Sequence, residues 1–194
     1  MKKTVFLPIL TLILAAALLL GSSFCLKTIA AQQAQAEHLQ MLKTLLPGNE
    51  SFIHESYSDE IITSVHKGEN GFVVETVTAG YAGDITMLIG VSNDGQVTGL
   101  VVREMHETFG LGANALNDHV FLSQFLNTEG NVAIGTGSDA FSGATGTSDS
   151  EADTYVDAIT GATVTSKAIA RCVNAAVAYV TGADIDSGAT SWGG

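Results

Sequence analysis

The residues best placed to do chemistry lie in the run Asp157-Ala-Ile-Thr-Gly-Ala-Thr163-Val-Thr-Ser-Lys167. The run begins as a turn and continues as a helix, because six apolar residues recur at three- and four-residue spacing. They are Ile169, Cys172, Val173, Ala176, Val177 and Val180. Hydroxyl side chains at the helix start can cap the free amides of its first turn. Alternatively, free amides and the positive end of the helix dipole can hold a phosphate, to which Lys167 adds a positive charge.

The run also resembles the Asp-x-x-Ser/Thr-Gly-Ala-Thr motif of a known flavoprotein family. This is the FMN-binding domain of the G subunit of the Rnf electron-transport complex and of the C subunit of the sodium-pumping quinone reductase. In that family the last threonine carries FMN through a phosphoester bond, which a separate flavin transferase installs. The resemblance implies that Thr163 is the modified residue. The implied cofactor site also includes Asp157, Thr160, Gly161, Ala162, Thr165 and Lys167.

The same motif occurs three times, so context must choose between the copies. Asp139 to Thr145 and Asp184 to Thr190 both match it. Thr145 is followed by a polar, acidic stretch without apolar periodicity, and Thr190 lies close to the last residue. Only Thr163 is followed by a predicted helix, so we expect modification there. Minor labelling at Thr145 or Thr190 remains an alternative.

A second glycine-rich stretch supports the resemblance. Arg103-Glu-Met-His-Glu-Thr-Phe-Gly-Leu-Gly112 is similar to the family's His-x-Glu-Thr-Pro-Gly-Leu-Gly loop, which lies over the flavin. Phe109 replaces the proline, which removes a fixed φ and adds a ring that could pack on the isoalloxazine. By resemblance the cofactor contacts here are Thr108, Gly110, Leu111 and Gly112. The alternative is a plain glycine turn between a strand and a helix near 113–125.

The first part of the chain has the pattern of a membrane anchor. Residues 5–26 carry no charge and would reach about 33 Å as a helix, enough to span a bilayer. Lys2 and Lys3 predict a cytoplasmic start and an extracytoplasmic remainder. A cleaved signal peptide is the alternative. Residues 28–46 continue as a predicted helical stalk, which Pro47-Gly48 ends.

Beyond the stalk, the apolar pattern changes to that of strands. We predict strands at 52–53, 61–62, 72–74, 85–91, 97–102 and 155–156, with a loop over 130–151. Asn93-Asp94-Gly95 predicts a hairpin between 85–91 and 97–102. The expected fold is α+β, with a mixed or antiparallel sheet and packed helices. The predicted divisions are an anchor at 1–27, a stalk at 28–48, an FMN-binding domain at 49–181 and a tail at 182–194.

Charge and residue usage exclude several function classes. All 20 acidic residues and only five basic residues follow Lys27, so this part carries a net charge of about −15. Nucleic acid is therefore not an expected partner. The five histidines show no ligand spacing, so we predict no metal site. Two cysteines form no disulfide framework, and Cys172 is expected to be a small buried residue.

The resemblance implies a function in membrane electron transport. The expected role is an FMN-carrying subunit of an ion-translocating complex that passes electrons between ferredoxin and NAD, coupled to sodium or proton movement. Its expected partners are the other membrane and peripheral subunits and the flavin transferase. Two related roles stay open: the C subunit of the sodium-pumping NADH:quinone reductase, and a stand-alone anchored flavoprotein outside the cytoplasm. An anchored acidic binding domain without a cofactor is the non-redox alternative.

Overall fold

A computed structural model of the chain describes residues 32–106, 119–135 and 152–183. Residues 42–194 form one compact unit and residues 1–41 another. Four sequence predictions lie outside the described residues: the membrane segment, the loop with Thr108, Gly110, Leu111 and Gly112, and the motif copies ending at Thr145 and Thr190. Among the residues that are described, no helix is both long and apolar enough to cross a bilayer.

The described chain begins in helix α1, residues 32–45. The helix ends where predicted, just before Pro47-Gly48. The Leu46 amide still bonds to the Leu42 carbonyl at 2.9 Å, and Gly48 then takes a φ of +87°. Only glycine adopts that conformation without strain, which explains the stop.

Five strands follow and form one antiparallel sheet in the order β1-β2-β3-β4-β5. They are β1 Ile53–Glu55, β2 Ile62–Lys67, β3 Gly71–Ala79, β4 Asp84–Ser92 and β5 Val97–Met105. The predicted hairpin is confirmed between β4 and β5. At its turn the Ser92 amide bonds to the Gln96 carbonyl at 2.8 Å, and Gly95 has a φ of +86°.

Each face of this sheet carries its own apolar cluster. The larger cluster buries Val74, Met87 and Ile89 against the long helix α3, Thr163–Thr181. The smaller one buries Val73 and Leu88, on the opposite face, against Leu42, Leu45 and Leu46. These two layers enclose the sheet, since side chains alternate between its faces.

A pair of glycines lets the end of α1 approach the sheet closely. Gly90 and Gly99 are directly paired across β4 and β5. A Cβ at Gly90 would lie 2.2 Å from the Leu45 carbonyl oxygen, and one at Gly99 would lie 3.0 Å from the Leu45 Cα. The Thr98 hydroxyl donates to the same carbonyl at 2.6 Å. The glycines therefore make a flat patch on which the helix end rests.

In the described residues between β5 and α3 there are three short elements. They are helix α2, His119–Ser123, and the parallel strands β6, Val132–Ile134, and β7, Thr154–Val156. The strand at 155–156 is confirmed, but the loop prediction for 130–151 is wrong at β6. Asn174 on α3 explains the strand: its amide accepts from Val132 N–H and donates to the Val132 carbonyl, both at 2.9 Å. An amide side chain thus takes the place of a neighbouring strand. The α+β class is confirmed.

Candidate functional site

The motif begins directly after strand β7. Val156 is fully buried, and Asp157, the next residue, is exposed. The backbone amide of Asp157 donates to the Gln124 side-chain oxygen at 3.0 Å, just beyond α2. The segment that ends at Thr163 is therefore anchored at its first residue, while the Asp157 carboxylate faces solvent.

A tight turn explains the glycine and alanine of the motif. The Ala162 amide donates to the Ile159 carbonyl at 2.9 Å, which closes a four-residue turn. Gly161 occupies its third position with a φ of +79°, the conformation that favours glycine in a type II turn. Ala162 is 4 % exposed, so the next position accepts only a small side chain.

Ser166 connects this turn to the helix, a role that sequence analysis did not assign. Its hydroxyl accepts from Ile159 N–H at 3.2 Å and donates to the Ala162 carbonyl at 2.9 Å. The side chain is fully buried. The signal in the sequence was weak, because a serine four residues into a helix ordinarily bonds only the carbonyl one turn back.

The hydroxyl-capping expectation is wrong. The N-cap of α3 is Ala162, and no side chain bonds the first-turn amides. Ser166 N–H makes the first helical bond, at 2.9 Å to Ala162, so within the described residues the amides of Thr163, Val164 and Thr165 have no partner. The reason is local: Thr160 and Thr163 point to solvent, and the Ser166 hydroxyl is engaged by the turn. Nothing in the described part of the chain bonds these three donors, which lie at the positive end of the helix dipole.

The side chains of the first turn of α3 differ in exposure and in hydrogen bonding. Thr163 and Lys167 are both exposed and lie one turn apart on the same side of α3. Thr165 is 1 % exposed, and its hydroxyl oxygen has no hydrogen-bond partner among the described residues. A buried hydroxyl without a partner costs about 1–3 kcal/mol, so a group that bonds it would be favourable.

The helix start lies at the same end of the sheet as the second predicted loop. Helix α3 runs antiparallel to β3. The rings of Tyr179 and Phe72 meet edge to face with centroids 5.7 Å apart, and Cys172, nearer the helix start, lies close to Thr76, which is farther along β3. Thr165, seven residues before Cys172, therefore lies near the end of β3.

That end of β3 is also where β5 finishes. Thr78 pairs with Ile85, and Ile85 pairs with Met105. His106, the last described residue before the loop with Thr108, follows directly. The fold thus brings the start of that loop to the end of the sheet where the α3 turn lies.

The other candidate reactive groups are the Cys172 thiol and any cluster of metal-ligating side chains. Burial raises the pKa of the Cys172 thiol to about 11, while the neighbouring Thr76 and the Arg171 charge lower it less. The thiol is therefore protonated at neutral pH and a poor nucleophile. Within the described ranges, no three His, Cys, Asp or Glu side chains cluster in a way that could hold a metal ion.

Comparison with known proteins places these features in a family. The FMN-binding domain family matches residues 80–178, slightly more than half of the chain. The G subunit of the Na(+)-translocating ferredoxin:NAD(+) oxidoreductase complex of Acetobacterium woodii is 37 % identical over 111 residues, which is 55 % of this chain and 47 % of that protein. The G subunit of the proton-translocating complex of Clostridium ljungdahlii is 37 % identical over 110 residues, 57 % and 53 % of the two chains.

The chain spans about half the length of these curated relatives. Among solved structures, the C subunit of the Na(+)-translocating NADH-quinone reductase from Parabacteroides distasonis is 22 % identical with a TM-score of 0.43, over 68 % of this chain and 63 % of that one. The family match includes β4, β5, β7, the turn at Gly161 and nearly all of α3. The chain therefore belongs to the FMN-binding domain family.

Proposed function

We propose that this chain is the electron-carrying subunit of a membrane ion-translocating ferredoxin:NAD oxidoreductase complex, with FMN esterified to Thr163. The observation that carries the proposal is the open start of α3. The exposed Thr163 begins this helix beside first-turn amides that have no partner, as far as the described residues extend, and the buried Thr165 hydroxyl in the same turn has none either. The family match supplies the identity of the cofactor.

The residues at the helix start fit a phosphodiester. Such a group is an anion that only accepts hydrogen bonds, and the amides of Thr163, Val164 and Thr165 are donors at the positive end of the dipole. The hydroxyl of Thr165 is a further donor in need of an acceptor. Lys167 adds a charge one turn along, and no acidic side chain lies in the first turn of the helix to oppose it.

Each residue then has a defined part. FMN, once bound, can exchange one or two electrons. Thr163 supplies the ester oxygen. Its hydroxyl loses its proton as the oxygen bonds the flavin phosphorus, and the phosphoanhydride bond of the flavin dinucleotide from which the transferase takes FMN breaks, releasing a nucleoside monophosphate. Gly161 and Ala162 shape the turn that precedes it, and Asp157 and Thr160 are exposed for recognition by the transferase. Thr108, Gly110, Leu111 and Gly112 are proposed to contact the ring or ribityl chain.

The proposed setting is the cell membrane. Residues 5–26 would anchor the chain, with the FMN-binding domain on the extracytoplasmic side. Other subunits of the complex and a flavin transferase would be its partners. Relatives named as the G subunits of ion-translocating oxidoreductase complexes support this assignment. A covalent tether suits that location, because a dissociated flavin would be lost from the cell.

The test is the intact mass of the chain after coexpression with a flavin transferase, followed by peptide mapping. We expect a mass increase equal to that of FMN minus one water, located on the peptide that contains Thr163. The variant Thr163→Val should carry none, whereas Thr181→Val, at the other end of the same helix, should be fully loaded. Flavin on Thr145 or Thr190 would place the site in another motif copy. No added mass, with the transferase active on a control substrate, would refute the proposal.

A further inference from the structure

Two side chains that lie outside the segment from Asp157 to Thr163 form hydrogen bonds to its backbone. Gln124 accepts from the Asp157 amide at 3.0 Å. Ser166 accepts from the Ile159 amide at 3.2 Å and donates to the Ala162 carbonyl at 2.9 Å. Neither residue belongs to the seven-residue motif. The segment therefore has a defined shape that the motif alone does not determine.

The core fixes the backbone of Gln124, whose side chain is half-buried, and it encloses the Ser166 side chain. Gln124 lies between Phe121 and Phe125, which are 2 % and 0 % exposed and whose rings meet edge to face at 5.3 Å. The backbone amide of Gln124 also donates to the Phe121 carbonyl at 3.1 Å. Ser166 is fully buried on a helix that packs on the sheet. Rigid supports of this kind restrict the atoms that they bond.

We propose that Gln124 and Ser166 are positioning residues that fix the orientation of the phosphoester on Thr163. This inference rests on the proposed function. A single covalent bond to a threonine leaves the flavin free to rotate about several bonds. The phosphate meets the open amides only if Thr163 occupies the first position of α3, and the turn closed by Ser166 places it there. Gln124 fixes the other end, so that the segment cannot swing as a unit.

The chain offers conservative variants for both residues. Gln124→Met keeps the length and removes the acceptor, whereas Gln124→Glu keeps an acceptor oxygen. Ser166→Ala removes the hydroxyl, whereas Ser166→Thr keeps it. Thr181→Ala is the matched control: its hydroxyl donates to the Val177 carbonyl at 2.9 Å and accepts from Ala183 at 3.4 Å, at the far end of the same helix.

The test uses the full chain, expressed once without and once with the transferase, and two readouts. In the flavin-free protein, we expect exchange of the Asp157 amide in Gln124→Met, and of the Ile159 amide in Ser166→Ala, to be about tenfold faster. In the loaded protein, time-resolved anisotropy should show the immobilised flavin fraction reduced about twofold or more in both variants. Gln124→Glu, Ser166→Thr and Thr181→Ala should match the wild type in anisotropy.

Two results would contradict the proposal. Faster amide exchange with unchanged anisotropy would show that the two bonds stabilise the turn without orienting the flavin. Equal anisotropy for Gln124→Met and the wild type would overturn it even if Ser166→Ala failed to fold. A wild-type chain that accepts no flavin would refute the proposed function and this inference with it, whereas a loaded wild type with unaffected variants would refute only the inference.

Discussion

The two ends of α3 differ in how completely their polar groups are satisfied. At the C-terminal end, Gly182 takes a φ of +69° and its amide bonds the Ala178 carbonyl at 2.9 Å. Thr181 bonds back to Val177, and the Tyr179 hydroxyl donates to Glu55 at 2.9 Å. At the N-terminal end, the cap residue is alanine, and the Thr165 hydroxyl and the first-turn amides have no partner among the described residues.

We therefore expect the C-terminal end of α3 to contribute mainly to stability and its N-terminal end to ligand binding. The C-terminal end packs the helix on the sheet, where the Tyr179 ring also contacts Tyr57 in a tilted pair and Phe72 edge to face, with centroids 4.8 and 5.7 Å apart. At the N-terminal end, the first-turn amides are donors that a bound anion could use. A helix that needed to be stable alone would cap both ends, because a missing cap costs about 1 kcal/mol. The uncapped N-terminal end is therefore the better candidate for a binding site.

The largest expected effect comes from two threonine hydroxyls: that of Thr165 is buried without a partner among the described residues, and that of Thr181 is exposed but bonded. Their removal should change the stability with opposite signs. Thr165→Val removes an unpartnered group and should stabilise the flavin-free protein by about 1–3 kcal/mol. Thr181→Val removes a bonded hydroxyl and should destabilise it by about 1 kcal/mol. Urea unfolding of the flavin-free proteins measures both. Destabilisation by Thr165→Val, with Thr165→Ser neutral, would mean that this hydroxyl already has a partner.

A pair of glycines with similar backbone conformations sharpens the contrast. Gly161 and Gly182 have φ values of +79° and +69°. Replacing either with alanine should cost about 1 kcal/mol, because a Cβ strains that conformation. Only Gly161→Ala should also lower flavin loading by the transferase, measured by intact mass over time. Equal loading of the two variants would show that the turn shape does not matter for attachment.

The C-terminal end of α3 should also make the stability of the protein depend on pH above about pH 10. Burial, and then the hydrogen bond to the Glu55 carboxylate, raise the pKa of Tyr179 from 10.0 to about 12. Since the folded-state pKa is the higher one, this stabilisation is complete below about pH 10 and is lost as the pH rises to about 12. Tyr179→Phe should therefore flatten the fall in stability over that range, followed by thermal melts. The buried Cys172, whose pKa is about 11, adds a loss that begins near pH 9 and remains in the variant.

The smallest expected effect concerns Lys167. A cation near the positive end of a helix is unfavourable by a few tenths of a kcal/mol, so Lys167→Gln should slightly stabilise the flavin-free protein. With a phosphate attached, the sign should reverse, because the lysine then faces an anion. Lys67→Gln is the control, since Lys67 lies 3.7 Å from Glu55 near the other end of the helix. Comparing melting temperatures with and without flavin, at low and high salt, would show or exclude the reversal.

The sequence was informative where apolar periodicity and turn chemistry agree. The β4–β5 hairpin and α3 follow from alternating apolar residues, from Asn93-Asp94-Gly95 and from helical spacing. Strand β3 was predicted too short, at 72–74. Its second half carries Glu75, Thr76 and Thr78, and the two threonines are buried beneath the larger apolar cluster rather than exposed. Periodicity counts such residues as polar, although threonine suits a strand well.

The site was predictable as a location but not as a set of contacts. The motif identified the turn and the exposed Thr163, whereas its supports come from distant positions. Gln124 lies 33 residues before Asp157, and Asn174 lies 42 residues after Val132. No local pattern distinguishes these amides from ordinary surface residues, because their partners are set only by tertiary packing. The assignment of individual residues to flavin contact remains a prediction.

The paired glycines on β4 and β5 have a mechanical consequence. The main chain of Leu45 rests on Gly90 and Gly99 and is bonded by Thr98, so tension carried along the end of α1 enters the domain at the β4–β5 ladder, close to its hairpin turn. Many backbone bonds share such a load, whereas a pull on a terminal strand would break bonds one at a time. A bulkier residue at Gly90 would lift the helix end off the sheet. Under tension, the yield force of the domain would then fall even where its melting temperature changed little.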